Sequence, residues 1–271
     1  MTFSTSQSQV DKHLFNGLAP ATLFSMTGKV VLITGAAGGI GAGLARGFAA
    51  AGARLVLADL NDKVHQIAAT FRDAGADAYS LAFDVTDEAA IAGAFVDIMQ
   101  RYGRIDVVIN NAGVLVRTPL LELTRQEWQK VIDTDLTACF LVAQQAARIM
   151  VKQGSGRIIN MGSIMNHVSR PNLVPYVAAK GGVSALTRAL AADLGGTGIT
   201  VNALAPGYTE TEFSQANDKE FNAFVTNWTP VRRWGKPDDI CGPALLLASE
   251  AGAYINGHTL YIDGGFLSVT R

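Results

Sequence analysis

Cysteine is scarce: the 271 residues contain two, Cys139 and Cys241, widely separated; the two could in principle pair, but a structural disulfide is not expected. Neither stands in a CxxC or Cys/His spacing, both have apolar, helix-like surroundings, and both read as buried thiols of a reducing cytoplasm. His13, His65 and His258 show no ligand-like spacing, so no metal is expected. No uninterrupted apolar run approaches the roughly 18–20 residues that span a bilayer. The N-terminal stretch 1–26 lacks the basic start and apolar core of a signal peptide and the arginines of a transit peptide, which points to a cytoplasmic protein. Charge of one sign is missing too: 22 Lys and Arg stand against 23 Asp and Glu, for a net −1. With no basic run and no basic–aromatic interleaving, nucleic acid and anionic membranes are poor partners, and a small molecule is the better one.

What the chain does have is apolar material, 49% hydrophobic residues with 28 glycines, enough for the core of one large α/β domain. Residues 1–26 are rich in Ser, Thr and Gln and form an extension, either a loose tail or a segment packed on a neighbouring subunit. A single domain follows over 27–271. In it short β-rich runs alternate with longer Ala-rich stretches of helical period. Seven strands are predicted, at 30–34, 54–58, 77–82, 106–110, 157–161, 200–205 and 259–263. Nearly all-apolar strands separated by helices imply a parallel sheet covered on both faces.

The first strand runs into TGAAGGIG, placing Gly35, Gly39 and Gly41 on the turn that opens the next helix. Such glycines serve either tight packing or a phosphate, which can approach the bare backbone and meet free N–H groups at the helix start. Asp59 ends the second strand, where a carboxylate can accept hydrogen bonds from the ribose hydroxyls of a dinucleotide. It would also repel a 2′-phosphate. No Arg or Lys occupies the glycine turn or the two positions after Asp59, so NAD is expected over NADP.

From about Thr27 onward the chain resembles the short-chain dehydrogenase/reductase family. The resemblance rests on six motifs in order: the TGxxxGxG turn (Thr34 to Gly41), Asp84–Val85, NNAG (Asn110 to Gly113), Ser163, the YxxxK pair Tyr176 and Lys180, and Pro206–Gly207 followed by Thr211. It implies a single doubly wound Rossmann domain and B-face hydride transfer. It also implies a homodimer or homotetramer formed through two long helices, over roughly 124–152 and 175–195. The cofactor-binding residues it implies are Gly35, Gly39, Ile40, Gly41, Asp59, Asp84, Val85, Asn111, Ala112, Gly113, Tyr176, Lys180, Pro206, Gly207, Thr209 and Thr211.

Tyr176 and Lys180 stand at i and i+4, on one helix face. A free tyrosine, with a pKa near 10, shuttles protons poorly at pH 7. A nearby ammonium and the positive nicotinamide ring both favour phenolate, which would fit Tyr176 as acid/base. Taken alone, the pair could equally be a surface contact. Ser163, ending the fifth strand, can hydrogen-bond the substrate oxygen as charge develops there. The family assigns these roles to these residues. Asp135, in VIDTDLTACF, departs from the pattern, because the resemblance places an Asn there to complete a catalytic tetrad.

The closer resemblance is to the gluconate 5-dehydrogenase-like branch, carried by the C-terminal stretch from Thr229, by IDTDL and by SIMN. It implies a sugar acid or sugar as substrate. Another polyol or a 3-oxoacyl thioester is the alternative, as is an NAD-sensing protein without catalysis. A sugar acid needs a cation, and Arg117 and Arg170 are the candidates, each also readable as a solvated loop arginine. His167 either lines the substrate pocket or faces solvent. The polar, aromatic stretch at about 207–235 is expected to be a substrate loop.

Overall fold

The computed structural model describes residues 19–270 apart from 213 and 215. The greater part of the predicted extension therefore lies outside the described residues. A single-turn helix α1 (Pro20–Leu23) precedes the domain. The domain begins slightly before the predicted boundary, because Met26 is buried in the core.

Seven strands follow, β1 (Val30–Thr34), β2 (Arg54–Asp59), β3 (Ala78–Ala82), β4 (Val107–Asn110), β5 (Gly156–Met161), β6 (Ile199–Pro206) and β7 (Thr259–Ile262). They match the predicted runs to within a residue at either end. All pair in parallel, in the order β3-β2-β1-β4-β5-β6-β7. The helices between them are α2 (Gly39–Ala50), α3 (Lys63–Asp73), α4 (Glu88–Tyr102), α5 (Arg125–Ile132), α6 (Ala138–Gln153) and α7 (Val174–Asp193). After β6 come α8 (Lys219–Trp228) and α9 (Cys241–Ala248).

Side chains alternate across a strand, and β1 shows the consequence. Val31 and Ile33 pack with Leu44 and Phe48 of α2 and Leu247 of α9. Val30 and Leu32 face the other way, onto Phe95 of α4 and Val142 and Ala146 of α6. Both faces of the sheet are thus covered, which is why the strands read as continuous apolar runs. The chain winds outward from β1 toward β3 and then returns to β4 on the opposite side of β1. At that reversal the carboxyl ends of β1 and β4 open a crevice, where ligands of open α/β sheets bind.

One long helix is interrupted. Between α5 and α6 lies a π-helical turn, Asp133–Thr137. Its wider ring, closed by the Ala138 N–H on the Asp133 carbonyl, is a form that recurs at functional sites.

Candidate active site

A cavity of about 1140 Å³ opens over the carboxyl ends of the strands and holds residues from both halves of the sheet. At its floor β1 ends in Thr34, and the chain turns at Gly35 with φ 64°, a conformation open to glycine. A Cβ at Gly35 would lie 2.8 Å from the Ala112 Cα, so the turn and the loop after β4 meet backbone to backbone. Gly39 opens α2 at φ 51° and, with Gly38 and Ile40, lines the cavity. Gly41 does not line it. There a Cβ would collide with the Gly35 carbonyl oxygen and stand 2.8 Å from the Asn111 amide nitrogen. Close packing of α2 on the turn requires a glycine at position 41.

Thr34 ties the two loops together. Its buried hydroxyl accepts the N–H groups of Asn111 and Ala112, each at 3.1 Å. Asn111 in return donates its side-chain amide to the Thr34 carbonyl at 2.9 Å and the Gly35 carbonyl at 3.0 Å. Asp59 reaches the cavity from the end of β2, its carboxylate held by Ala37 N–H on one oxygen and Asn61 N–H on the other, both at 2.9 Å. Lys63, four residues further, lines the same wall. Asp84, Val85, Ala112, Gly113, Pro206, Gly207, Thr209 and Thr211 complete it.

Ser163, Tyr176 and Lys180 all line this cavity. Ser163 caps a short 3₁₀ turn, Ile164–Asn166, and its Oγ accepts the Met165 N–H at 3.1 Å. Using the oxygen as acceptor leaves the hydroxyl proton free to be donated into the cavity. Lys180 is buried, its Nζ 5.4 Å from the Tyr176 ring centroid and 3.0 Å from the Met161 carbonyl, to which it donates. Asp135, carried by the π turn, is 0% exposed and sets Oδ2 3.1 Å from that same Nζ. Its Oδ1 accepts the Val114 N–H at 2.8 Å. Burial alone would push the Lys180 pKa down. The Asp135 carboxylate outweighs this, helped by Tyr176 and Cys139, and holds the ammonium well above the usual lysine range. Burial also drives the Cys139 thiol up to about 11, against the pull of Lys180. Both cysteines are free thiols; Cys139 is buried as read from the sequence, whereas Cys241 is only half-buried.

Arg117 and Arg170 both line the cavity. The Arg170 guanidinium carbon lies 4.1 Å from the Phe221 ring centroid, a cation–π contact. Both arginines act on the Tyr208 phenol: burial raises its pKa, while first Arg170 and then Arg117 draw it down. Tyr208 also meets Phe221, Trp234 and Phe266 edge to face, with centroids 5.2–5.8 Å apart. Tyr208, Phe221 and Trp234 lie inside the expected substrate loop and Phe266 comes from beyond it; that these side chains form one cluster is a part of the site the sequence did not reveal. Its only signal was the aromatic richness of 208–234. His167 goes elsewhere, exposed and edge-on to Tyr261 at 6.3 Å, away from the cavity wall.

Comparison with known proteins agrees with this geometry. A family model described as enoyl-(acyl carrier protein) reductase matches residues 35–267. Gluconate 5-dehydrogenase of Gluconobacter oxydans is 40% identical over 246 residues, covering 90% of this chain and 96% of that one. The 2-dehydro-3-deoxy-D-gluconate 5-dehydrogenase of Formosa agariphila is 37% identical over 251 residues, or 91% and 95% of the two chains. A crystal structure of gluconate 5-dehydrogenase from Burkholderia cenocepacia, in complex with NADP and tartrate, superimposes with a TM-score of 0.89. It shares 42% identity and covers 92% of this chain and 99% of that one.

Proposed function

The chain belongs to the short-chain dehydrogenase/reductase family, and from that premise we propose that it interconverts a secondary hydroxyl of a sugar acid and the corresponding ketone, with NAD(H) as coenzyme. It is an oxidoreductase of CH–OH groups and uses a nicotinamide cofactor. The observation that carries the substrate class is the placement of Arg117 and Arg170 on the cavity that holds Ser163 and Tyr176. A guanidinium pairs with a carboxylate through two parallel hydrogen bonds. An uncharged polyol makes no comparable use of two arginines.

The residues fit a dinucleotide. The glycine turn lines the cavity with backbone at Gly35, Gly38 and Gly39, and the Asp59 carboxylate lines the same cavity. A nicotinamide ring bound there supplies the hydride acceptor or donor of the reaction. The chain itself handles the proton. Ser163 donates to the substrate oxygen, and Tyr176 takes the hydroxyl proton during oxidation or returns one during reduction. Lys180 favours the phenolate form electrostatically. Asp59 argues for NAD, since its carboxylate disfavours a 2′-phosphate. A second coenzyme reading rests on Lys63, whose ammonium on the same wall could neutralise that phosphate and admit NADP.

A cytoplasmic homo-oligomer completes the reading. Supporting it are the two unbonded thiols, the lack of a membrane-crossing helix among the described residues, and apolar Phe140 and Val151 exposed on α6.

Coenzyme-linked initial rates on gluconate-like acids, uncharged polyols and 3-oxoacyl thioesters test the proposal. Arg117→Ala should raise KM sharply for the acids and change little for polyols, and Tyr176→Phe should cut turnover by roughly 10² or more while coenzyme still binds. Equal effects of Arg117→Ala on acids and polyols, or on neither, would remove the carboxylate anchor and the sugar-acid reading with it.

A further inference from the structure

A hydroxy acid has two ends that find partners in the cavity, the reacting oxygen at Ser163 and Tyr176 and the carboxylate at Arg117 and Arg170. The surface that runs from one to the other is apolar. The rings of Tyr176 and Tyr208 both pack against the cluster of Ile164, Met165, Leu173 and Phe266. From Tyr208 the surface continues to Phe221 and Trp234, edge to face with centroids 5.4 and 5.8 Å away. It ends at Arg170, whose guanidinium carbon stands 4.1 Å from the Phe221 centroid and 5.8 Å from that of Phe224. Ile164, Met165, Leu173, Tyr208, Phe221 and Trp234 all line the cavity. The polar atoms on this surface are already engaged. Trp234 Nε1–H donates to Asn222 Oδ1 at 2.8 Å, and the Met165 N–H donates to Ser163 Oγ at 3.1 Å. The Tyr208 phenol stands in the field of Arg170 and Arg117, at the carboxylate end.

A hydroxyl set against such a wall gives up water for no partner, whereas a methylene there leaves water at a gain. Selectivity obeys the same rule. A site that hydrogen-bonds a substrate hydroxyl rejects the analogue lacking it by roughly 10⁴–10⁵, and an apolar wall makes no such demand. Resting on the reading that Arg117 and Arg170 anchor a carboxylate, we propose that the site reads the two ends of its substrate and not the hydroxyls between them. It therefore has a further activity, the reduction of oxo acids whose carboxylate and ketone are joined by bare hydrocarbon, and the oxidation of the matching hydroxy acids. In reduction the carbonyl carbon takes a hydride from the reduced nicotinamide coenzyme, and the oxygen takes the Tyr176 proton. One C–H and one O–H bond replace the π bond of the ketone, two electrons reach the substrate, the coenzyme is left oxidised, and Tyr176 regains its proton from water.

The probe is 5-oxohexanoate, which keeps the carbon chain, carboxylate and ketone position of a 5-oxo sugar acid and has CH₂ or CH₃ in place of every alcohol carbon. Initial rates of coenzyme oxidation by the wild type are compared for these two acids and for hexan-2-one, which lacks the carboxylate. The kcat/KM for 5-oxohexanoate should reach at least about a tenth of the sugar-acid value, and hexan-2-one should fall below 5-oxohexanoate by about tenfold or more. A value under about a tenth, or no turnover of 5-oxohexanoate, means that the hydroxyls are read and overturns the proposal. Hexan-2-one as good as 5-oxohexanoate removes the carboxylate anchor and overturns it too. In Phe221→Asn the ratio of the two acids' kcat/KM values should move about tenfold or more against 5-oxohexanoate. The lost seat of Arg170 touches both acids alike and cancels in that ratio, so an unmoved ratio overturns the role given to the wall. The two readings fail separately. Turnover of 5-oxohexanoate without that of the sugar acid ends the sugar-acid reading and leaves this one standing, and the reverse result ends this one alone.

Discussion

Replacing Thr34 by Val should loosen the junction on which the coenzyme side of the cavity is built. The two side chains have nearly the same shape, and Thr34 is 2% exposed, so packing changes little and the loss is that of one hydroxyl. Three contacts go with it. The hydroxyl's donation to the Ile109 carbonyl is long, at 3.4 Å, and weak. Asn111 N–H loses its bond to Oγ1 but keeps the Ile109 carbonyl at 3.1 Å. Ala112 N–H, at 3.1 Å, loses the acceptor shown for it. One partly buried donor left unsatisfied costs about 1–3 kcal/mol. Cavity water can reach this loop, which favours the middle of that range, about 2 kcal/mol. In urea the midpoint should fall with the slope unchanged, and the melting temperature should drop by about 4–8 °C for a domain of this size. Thr34→Ser, which keeps the acceptor, should recover most of the loss. A Thr34→Val protein within about 0.5 kcal/mol of wild type would mean that Thr34 does not hold the Asn111–Ala112 backbone, and the account of the turn would fail.

Two further outcomes follow from the same wall of the cavity. Asp59→Ala should narrow the preference for NAD(H) over NADP(H) by relieving repulsion of the 2′-phosphate, as read from kcat/KM with each coenzyme. A wild type that prefers NADPH, and loses that preference in Lys63→Ala, would hand the role to the lysine. Gly41→Ala should destabilise the fold by roughly 1–3 kcal/mol through overpacking against the Gly35 carbonyl. A denaturation curve superimposable on wild type would show that α2 does not pack on the turn as described.

Much of the architecture is written into local sequence. The apolar runs of β1, β2, β4, β5 and β6 are buried nearly end to end, so composition alone marks them as inner strands of a sheet covered on both faces. Thr124 with Glu127 forms a capping box, a spacing legible one helix at a time. The i, i+4 spacing of Tyr176 and Lys180 places both on one helix face, and the order of the motifs carried the family. These features are local or periodic, which is why a linear string can hold them.

Tertiary structure decided the rest, because the deciding contacts join residues far apart in the chain. TGAAGGIG does not reveal which glycine meets a ligand and which meets a neighbour. Gly41 proves to be a packing glycine only once the Asn111 side chain, brought in from β4, is set beside it. His167 and Arg170 lie three residues apart in one loop, yet one turns to Tyr261 at the sheet edge and the other onto Phe221 of α8. Asp135 read as an imperfect match to an expected Asn. That its carboxylate is fully buried and seated on Lys180 depends on a π turn between two helices and on the packing of α7 against it. A charge's effect is set by distance and burial, and the sequence states neither.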